Sequence, residues 1–211
     1  MDAVCLLSGG MDSTTLAYLA KNEGYTLYAL HLNYGQRTEG KERACARKIA
    51  GLLSVREFIE IDIGYFRQIG GSSLTDPKKS VENFDPARAH LPNTYVPFRN
   101  ANLLSIATSF AEARDADAIF IGVQALDYSG YPDCRPEYIQ AYEQMANLAT
   151  RAGVEGARLK IHTPLIDMTK AEIIRLGVEL GVDYSLTWSC YDPGPGGAPC
   201  GRCDSCRLRA R

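Results

Sequence analysis

The sequence lacks any excess of positive charge. Its 23 lysine and arginine residues are balanced by 25 aspartate and glutamate residues, which gives a formal net charge of −2 and an isoelectric point of about 5.9. No basic arm or tract interrupts this balance. A protein that holds a nucleic-acid backbone neutralises many phosphates with lysine and arginine. We therefore expect no nucleic-acid partner.

Long apolar runs are missing as well. No stretch approaches the roughly 20 apolar residues that span a bilayer, and the sequence begins with an apolar strand pattern instead of the charged region and cleavage site of a secretion signal. The sequence therefore predicts a cytoplasmic protein without membrane contact. With 211 residues, 45% of them hydrophobic, the chain is long enough to bury one sizeable core.

The most informative stretch is VCLLSGGMDSTT at residues 4–15. An apolar run ends at two glycines and short polar residues, and apolar residues then return at helical spacing. Gly9 and Gly10 let an anion approach the main chain, and a helix that begins near Ser13 directs unpaired N–H groups towards it. For the SGG sequence alone, the alternative is a flexible turn in which Asp12 or Ser13 caps the helix.

The loop lacks the lysine of the GxxxxGK[ST] sequence, so a standard P-loop does not fit. The string SGGMDS instead resembles the pyrophosphate loop of the N-type ATP pyrophosphatases, which include GMP synthetase and NAD synthetase. This resemblance implies that the loop holds the β- and γ-phosphates of ATP while a substrate attacks the α-phosphorus to give an adenylate and pyrophosphate. The implied ATP-binding residues are Leu7, Ser8, Gly9, Gly10, Met11, Asp12, Ser13, Thr14 and Thr15.

Strand and helix patterns alternate along residues 1–185. Amphipathic helical patterns separate β-rich segments, and a capping-box sequence at Thr169 precedes the last helix. We predict an α/β fold: a Rossmann-like parallel sheet with right-handed crossovers and helices on both faces. The resemblance implies the adenine nucleotide alpha hydrolase-like form of this fold. The β-rich segments are 26–32, 55–61, 117–123 and 159–161, in addition to the first strand.

The periodicity fails between residues 64 and 93. This segment is rich in glycine, serine, proline, aspartate and asparagine, and a loop of that length is usually either functional or disordered. We predict a mobile insertion that covers the active site and becomes ordered when substrate binds. A surface insertion without a role is the alternative.

Two polar clusters lie beyond the 64–93 segment. Arg99 and Asn100 open a helix and suit the recognition of an anion or a carbonyl group, although such residues also serve as caps and surface charges. Residues 124–136 combine aromatic rings with carboxylates, which suit a flat purine-like base. A β-turn with solvated charges is the alternative for the second cluster.

Seven cysteines in a chain predicted to be cytoplasmic indicate metal or redox chemistry before structural disulfides. Four thiolates satisfy a tetrahedral zinc ion and leave no open position for water, so we predict one structural Zn²⁺ per chain in a small tail, residues 186–211. An iron–sulfur cluster and a redox pair are the alternatives. The predicted ligands are Cys190, Cys200, Cys203 and Cys206, with the spacing C-x9-C-x2-C-x2-C.

Six motifs taken together indicate one family within this group of ATP pyrophosphatases. SGGMDS, NYGQR, VPFRN, DYSGYPDCR, LTWSC and CGRCDSC are similar, in this order and across nearly the whole chain, to the 7-cyano-7-deazaguanine synthase family of queuosine biosynthesis. Phe98 stands where we expect glycine in many members of this family. The resemblance implies that ATP and Mg²⁺ activate 7-carboxy-7-deazaguanine by adenylation and that ammonia then forms the amide. A second ATP activates the amide oxygen, and loss of AMP leaves the nitrile.

The same resemblance implies roles for individual residues. Asp12 orients the magnesium-bound phosphates, and Arg99 or Lys160 neutralises the substrate carboxylate and the α-phosphate. It also implies a homodimer, and free ammonia is the simplest nitrogen donor because no glutaminase domain is recognised. The residues implied in substrate binding are Arg99, Asn100, Asp127, Tyr128, Ser129 and Asp133.

Two other functions are compatible with parts of this pattern. A tRNA-thiolating member of the superfamily would use Cys134 or a metal-bound cysteine to handle sulfur, but it would need a basic surface, and the acidic isoelectric point argues against one. A zinc-stabilised nucleotide-sensing or DNA-binding regulator would bind ATP without turnover. Release of pyrophosphate separates this regulator from an enzyme.

Overall fold

A single parallel sheet of five strands organises the molecule, in the order β3-β2-β1-β4-β5. The computed structural model describes residues 1–125 and 131–210. The strands are β1 (Asp2–Leu6), β2 (Thr26–Asn33), β3 (Glu57–Asp62), β4 (Ala118–Phe120) and β5 (Lys160–His162). The helices are α1 (Met11–Asn22), α2 (Glu39–Leu52), α3 (Phe66–Ile69), α4 (Arg99–Ala113), α5 (Pro136–Ala149), α6 (Arg151–Val154), α7 (Lys170–Glu179) and α8 (Asp204–Arg209).

Strand β1 lies at the centre of the sheet and is covered on both faces. Ala3 and Cys5 point into a core formed with α1, α2 and α7, and Val4 and Leu6 point into a second core formed with α4 and α5. A parallel strand that is buried on both faces reads as a continuous apolar run, because neither face meets water. The predicted α/β fold, with helices on both faces of a parallel sheet, is therefore confirmed.

The strand order reverses beside β1. The chain first builds outwards from β1 through β2 to β3, and it later returns to place β4 and β5 on the other side. The loops after β1 and β4 consequently leave neighbouring strand ends in different directions. In open α/β sheets, this switch point forms the ligand-binding crevice.

The predicted strand at 117–123 is longer than the observed one. Only Ala118–Phe120 pair with β1. Ile121 and Val123 line the crevice, and the Ile121 N–H still donates to the His162 carbonyl oxygen of β5 at 3.1 Å. The predicted capping box is confirmed at the start of α7, where the Thr169 side chain accepts a hydrogen bond from the Glu172 N–H and the Glu172 carboxylate accepts one from the Thr169 N–H.

The 64–93 segment packs against the tail of the molecule. The Phe84 N–H donates to the carbonyl oxygen of Arg202 at 2.9 Å, and the buried Arg88 guanidinium donates to the Asp204 carboxylate at 2.7 Å. Arg37, just beyond the end of β2, donates to the carbonyl oxygen of Ser73 at 2.7 Å. No residue of the segment lines the cavity between the loops, as far as the described residues define it. Motion of the segment on substrate binding stays a prediction.

No helix within residues 1–125 and 131–210 has the length and apolar character needed to cross a membrane.

Candidate active site

The loop after β1 has the geometry of an anion cradle. Gly9 has a φ of +81°, and a Cβ atom there would lie 2.6 Å from the carbonyl oxygen of Glu42 on α2. Only glycine therefore fits between the loop and this helix. The first intrahelical hydrogen bond of α1 runs from the Thr14 N–H to the Gly10 carbonyl oxygen, so the N–H groups of residues 11–13 have no intrahelical acceptors.

Hydroxyl groups hold this loop in shape. Ser8 Oγ and Ser13 Oγ lie 2.9 Å apart, and the Gly10 N–H donates to Ser8 Oγ at 3.2 Å. Thr14 Oγ1 donates to the Gly10 carbonyl oxygen at 2.7 Å, and Thr15 Oγ1 lies 2.7 Å from Tyr184 Oη. Thr14 and Thr15 are buried behind the loop, where they support its backbone.

A cavity of about 290 Å³ lies at the switch point and joins the loop to the second predicted cluster. Arg99 and Asn100, at the start of α4, share this cavity with most of the predicted ATP-binding residues. The predicted residues that line it are Leu7, Ser8, Gly10, Met11, Asp12, Ser13, Arg99 and Asn100, whereas Gly9, Thr14 and Thr15 lie behind its wall.

Arg99 presents a guanidinium group to the cavity without a carboxylate partner among the described residues. Its Nη1 atom lies 3.3 Å from Tyr34 Oη, and its Cζ atom lies 5.4 Å from the centre of the Tyr34 ring. Burial raises the pKa of Tyr34 to about 12, so this hydroxyl group stays protonated at neutral pH. Arg99 is therefore positioned to bind an anionic group of a ligand by donating hydrogen bonds to it.

Asp133 lies behind the cavity wall and caps α4. Its Oδ2 atom accepts a hydrogen bond from the Asn100 N–H at 2.9 Å, and its carbonyl oxygen accepts one from Asn100 Nδ2 at 3.2 Å. Asp133 is only 4% exposed and does not line the cavity. This geometry favours a positioning role for Asp133 instead of the predicted contact with a base. The other predicted base-reading residues, Asp127, Tyr128 and Ser129, lie outside the described residues.

The structure does not bring Lys160 to the site. Lys160 is exposed and is the first residue of β5, so it lies at the amino edge of the sheet, whereas the cavity lies at the carboxyl edge. The predicted contact between Lys160 and a substrate carboxylate is therefore incompatible with this strand direction.

A different lysine, which the sequence does not single out, lies in the cavity. Lys170 Nζ lies 2.7 and 2.8 Å from the two carboxylate oxygens of Asp12 and 2.6 Å from Gln124 Oε1. One signal was present in the sequence. The capping box places Lys170 in the first turn of α7, where the helix dipole disfavours a cation unless an anion lies nearby.

The four predicted zinc ligands converge. The Sγ atoms of Cys190, Cys200, Cys203 and Cys206 all lie within 4.8 Å of one another, and those of Cys200 and Cys206 are 4.0 Å apart. Tetrahedral zinc with bonds of about 2.3 Å separates its sulfur ligands by about 3.8 Å. The Cys200 N–H donates to Cys190 Sγ at 3.2 Å, as expected for a thiolate ligand. The donor set therefore fits a metal ion with four sulfur ligands.

The tail that carries these cysteines forms one wall of the cavity. Trp188, Ser189 and Tyr191 line it, together with Ser205 and Leu208 of α8. The Trp188 N–H donates to the Gly9 carbonyl oxygen at 2.9 Å. The tail and the loop after β1, residues 7–15, which we call the phosphate loop, thus belong to the same site.

Comparison with known proteins agrees with this arrangement. The model of a family described as "Queuosine biosynthesis protein QueC" matches residues 2–211. The chain belongs to the QueC family. Similar relatives are proteins named 7-cyano-7-deazaguanine synthase. The protein of Methanosphaerula palustris is 62% identical over 100% of this chain and 93% of its own length, and that of Paramagnetospirillum magneticum is 55% identical over 99% and 92%.

Solved structures more distant from the QueC family share its fold. A predicted subunit of tRNA methyltransferase from Methanocaldococcus jannaschii is 20% identical, with a TM-score of 0.55 over 85% of this chain and 75% of that one. A 4-thiouridine synthetase, solved as an RNA complex with bound ATP, is 18% identical, with a TM-score of 0.54 over 88% of this chain and 42% of that one. At these identities the likeness concerns the fold alone.

Proposed function

We propose that this chain converts 7-carboxy-7-deazaguanine, ammonia and two molecules of ATP into 7-cyano-7-deazaguanine. The proposal rests on one cavity that contains both the glycine-rich loop after β1 and the Arg99 guanidinium group, which has no carboxylate partner among the described residues. One feature suits the phosphates of ATP, and the other suits the carboxylate that must be activated. The names of the relatives support the choice of substrate.

The first step is adenylation of the carboxylate. An oxygen of the carboxylate attacks the α-phosphorus of ATP, the bond to the bridging oxygen of the β-phosphate breaks, and pyrophosphate leaves with the electron pair. Arg99 holds the carboxylate and offsets its charge as it approaches the α-phosphate. The N–H groups at the start of α1 and the hydroxyl groups of Ser8 and Ser13 stabilise the charge on the leaving pyrophosphate.

Ammonia then displaces AMP from the acyl adenylate to give the amide. A second ATP adenylates the amide oxygen, and loss of AMP together with protons from the nitrogen leaves the nitrile. Both activations release pyrophosphate, so one loop serves both. We propose that free ammonia is the nitrogen donor.

The burial of Cys134 argues against the use of this thiol to carry sulfur in a thiolation reaction. Cys134 lines the cavity and accepts a hydrogen bond from Asn100 Nδ2 at 3.3 Å. Burial raises the pKa of its thiol to about 11. Sulfur transfer needs a thiolate, and this thiol is protonated at neutral pH.

We propose that the four-cysteine cluster holds Zn²⁺ and that Mg²⁺ accompanies ATP beside the Asp12 carboxylate. Zinc fits because four sulfur ligands complete its tetrahedral shell, which makes the ion a structural element. Asp12 fits because its oxygens face the cavity and carboxylate oxygens are ligands that Mg²⁺ prefers. We further propose a cytoplasmic homodimer, for which light scattering of the purified protein measures the mass.

Product analysis by mass spectrometry tests the proposed reaction. The protein is incubated with Mg²⁺, ATP, ammonium and 7-carboxy-7-deazaguanine, and AMP and pyrophosphate are counted in parallel. We expect the nitrile, with two AMP and two pyrophosphate per product, and we expect Asp12→Ala to abolish pyrophosphate release. Pyrophosphate without the nitrile would show that the substrate is wrong, and absence of pyrophosphate would favour a binding protein without turnover.

A further inference from the structure

Glu42 contributes a carboxylate to the cavity that the adenylation steps described above do not use. The residue lies in the first turn of α2, is half-buried and lines the cavity. Its Oε1 atom accepts a hydrogen bond from Thr38 Oγ1 at 2.5 Å, and its Oε2 atom accepts one from Gln36 Nε2 at 3.0 Å. Thr38 and Gln36 are buried, so they hold the carboxylate in one orientation.

This carboxylate has no cationic partner within 4.0 Å in the part of the chain that the structure describes. Asp12, the other carboxylate that lines the cavity among these residues, is paired with Lys170 at 2.7 Å. Each carboxylate oxygen can accept two hydrogen bonds, and each oxygen of Glu42 accepts one from the protein. Two acceptor sites therefore remain side by side, and a ligand with hydrogen-bond donors would offset the cost of burying this charge.

Glu42 and Arg99 are connected to the same tyrosine. Arg99 Nη1 lies 3.3 Å from Tyr34 Oη, whereas the Tyr34 N–H donates to Gln36 Oε1 at 2.9 Å, and Gln36 in turn donates to Glu42. Burial raises the pKa of Tyr34 to about 12, Arg99 lowers this pKa and Glu42 raises it, as expected for opposite charges near one phenol. The cavity thus offers a ligand a cation near the hydroxyl end of Tyr34 and a carboxylate linked to its backbone end.

A ligand that satisfies both groups has a negative charge at one end and a pair of N–H donors at the other. The molecule 7-carboxy-7-deazaguanine has this pattern, with a carboxylate on its five-membered ring and a ring N–H beside an amino group on its six-membered ring. These two donors point in the same direction and match the two free acceptor sites of one carboxylate. The triphosphate of ATP, in contrast, would be repelled by Glu42.

We propose that Glu42 is a specificity-determining residue that binds the ring N–H and the amino group of the deazaguanine, while Arg99 holds the carboxylate at the other end. Gln36 and Thr38 are positioning residues that orient Glu42. A base without the amino group would leave one acceptor of Glu42 unpaired, and a site built for a donor rejects a ligand that lacks it. The inference rests on the proposed function, because it names the group that recognises the substrate of that reaction.

Titration calorimetry with two probes tests the assignment without requiring turnover. The probes are 7-carboxy-7-deazaguanine and its analogue without the amino group, 7-carboxy-7-deazahypoxanthine. We expect the unaltered protein to bind the analogue about 10- to 100-fold more weakly, as for loss of a hydrogen bond to a charged group. We expect Glu42→Ala to bind both probes weakly and to distinguish them by less than about threefold, because the partner of the amino group is gone.

Glu39→Ala is the matched control. Glu39 is the other acidic residue in the first turn of α2, but its carboxylate pairs with Arg67 at 3.0 Å and it does not line the cavity. We expect this variant to bind and distinguish the two probes as the unaltered protein does. Glu42→Gln keeps the shape of the side chain and serves if Glu42→Ala does not fold, and we expect it to bind 7-carboxy-7-deazaguanine about 10-fold more weakly.

Three results would overturn the assignment. The first is equal discrimination between the probes by the unaltered protein and a folded Glu42→Ala. The second is an unchanged affinity of Glu42→Gln for 7-carboxy-7-deazaguanine. The third is a loss of affinity for ATP alone, which would assign Glu42 to the ribose hydroxyl groups.

The outcomes also separate this assignment from the proposed function. If the unaltered protein distinguishes the probes through Glu42 but makes no nitrile, the proposed reaction fails and the assignment stands. If the unaltered protein makes the nitrile and Glu42→Ala distinguishes the probes normally, the assignment fails and the reaction stands. If the unaltered protein binds neither probe, both fail.

Discussion

The backbone N–H of Trp188 donates a hydrogen bond to the carbonyl oxygen of Gly9, with 2.9 Å between the nitrogen and the oxygen. The indole Nε1 atom of the same tryptophan donates to the carbonyl oxygen of Cys190 at 2.8 Å. One residue therefore links the cysteine cluster to the phosphate loop. Lys41 reinforces this link. Its Nζ atom lies 3.9 Å from the centroid of the Trp188 ring and also donates to the Gly197 carbonyl oxygen.

Loss of the metal should therefore weaken both the fold and the binding of ATP. We expect Cys203→Ser to lose the metal and to lower Tm by about 6 to 12 °C, which corresponds to a loss of about 3 kcal/mol in a chain of this size. We also expect a weaker affinity for ATP, because Trp188 no longer holds Gly9. Metal analysis, thermal melting and nucleotide titration measure the three effects.

The control for this variant is Cys45→Ser, which removes a half-buried thiol outside the cluster. We expect it to keep the metal and to bind ATP normally. A Cys203→Ser protein that had lost its metal and still bound ATP with full affinity would show that the tail does not support the loop.

Phe98 occupies a backbone conformation that suits glycine. Its φ is +56° and its ψ is +27°, and its side chain is largely exposed. A Cβ atom is strained in this left-handed region, whereas glycine is not. This geometry gives a physical reason for the glycine that the family resemblance led us to expect at this position.

We expect Phe98→Gly to be more stable than Phe98→Ala by about 1 kcal/mol, or roughly 2 to 4 °C in Tm. The alanine variant is the matched control, because it removes the same ring and retains the strained Cβ atom. Thermal melting measures the difference. Equal melting temperatures would mean that the backbone at residue 98 relaxes without cost.

Protonation of His162 should destabilise the folded state. The imidazole ring stacks on Phe120 with ring centres 4.6 Å apart, and burial lowers the pKa of His162. The unfolded chain therefore binds this proton more readily. Below the ordinary pKa of about 6.5 the unfolded state gains protons first, so stability is lost as the pH falls through this value.

The variant His162→Phe keeps the stacked ring and cannot bind the proton. We expect its Tm to rise relative to that of the unaltered protein as the pH is lowered from 7.5 to 5. His90→Asn is the control, since that imidazole is 70% exposed, and we expect it to track the unaltered protein. If the difference in Tm between His162→Phe and the unaltered protein stayed constant across this pH range, protonation of His162 would not be what destabilises the fold.

Lys160 and Lys170 show which features of the candidate site could be predicted from the sequence and which could not. Lys160 is the first residue of β5 and lies at the edge of the sheet opposite to the ligand crevice. The predicted strand 159–161 placed this lysine in its middle, so the sequence alone did not exclude it. Lys170 could not have been paired with Asp12, because 158 residues separate them and their contact depends on how α7 packs beside α1.

The phosphate loop and the cysteine cluster were predictable because their chemistry is local. Gly9 and its neighbours lie within one turn, and three of the four cysteines lie within seven residues of each other. The role of Asp133 was not predictable, because the residue type suits both a base-reading contact and a helix cap. The choice depends on the direction of its carboxylate, which only the packing of α4 defines.

Two substitutions distinguish direct contact from positioning at the substrate side of the cavity. We expect Arg99→Met to raise KM for 7-carboxy-7-deazaguanine about 10- to 100-fold, because it removes the cation that would pair with the carboxylate. We expect Asp133→Asn to lower Tm by about 2 to 4 °C, since loss of the carboxylate charge removes its favourable interaction with the positive end of α4. Its KM should change by less than about threefold, because Asp133 does not line the cavity. Steady-state kinetics and thermal melting measure both variants, and a large rise in KM for Asp133→Asn at an unchanged Tm would restore the predicted contact between Asp133 and the base.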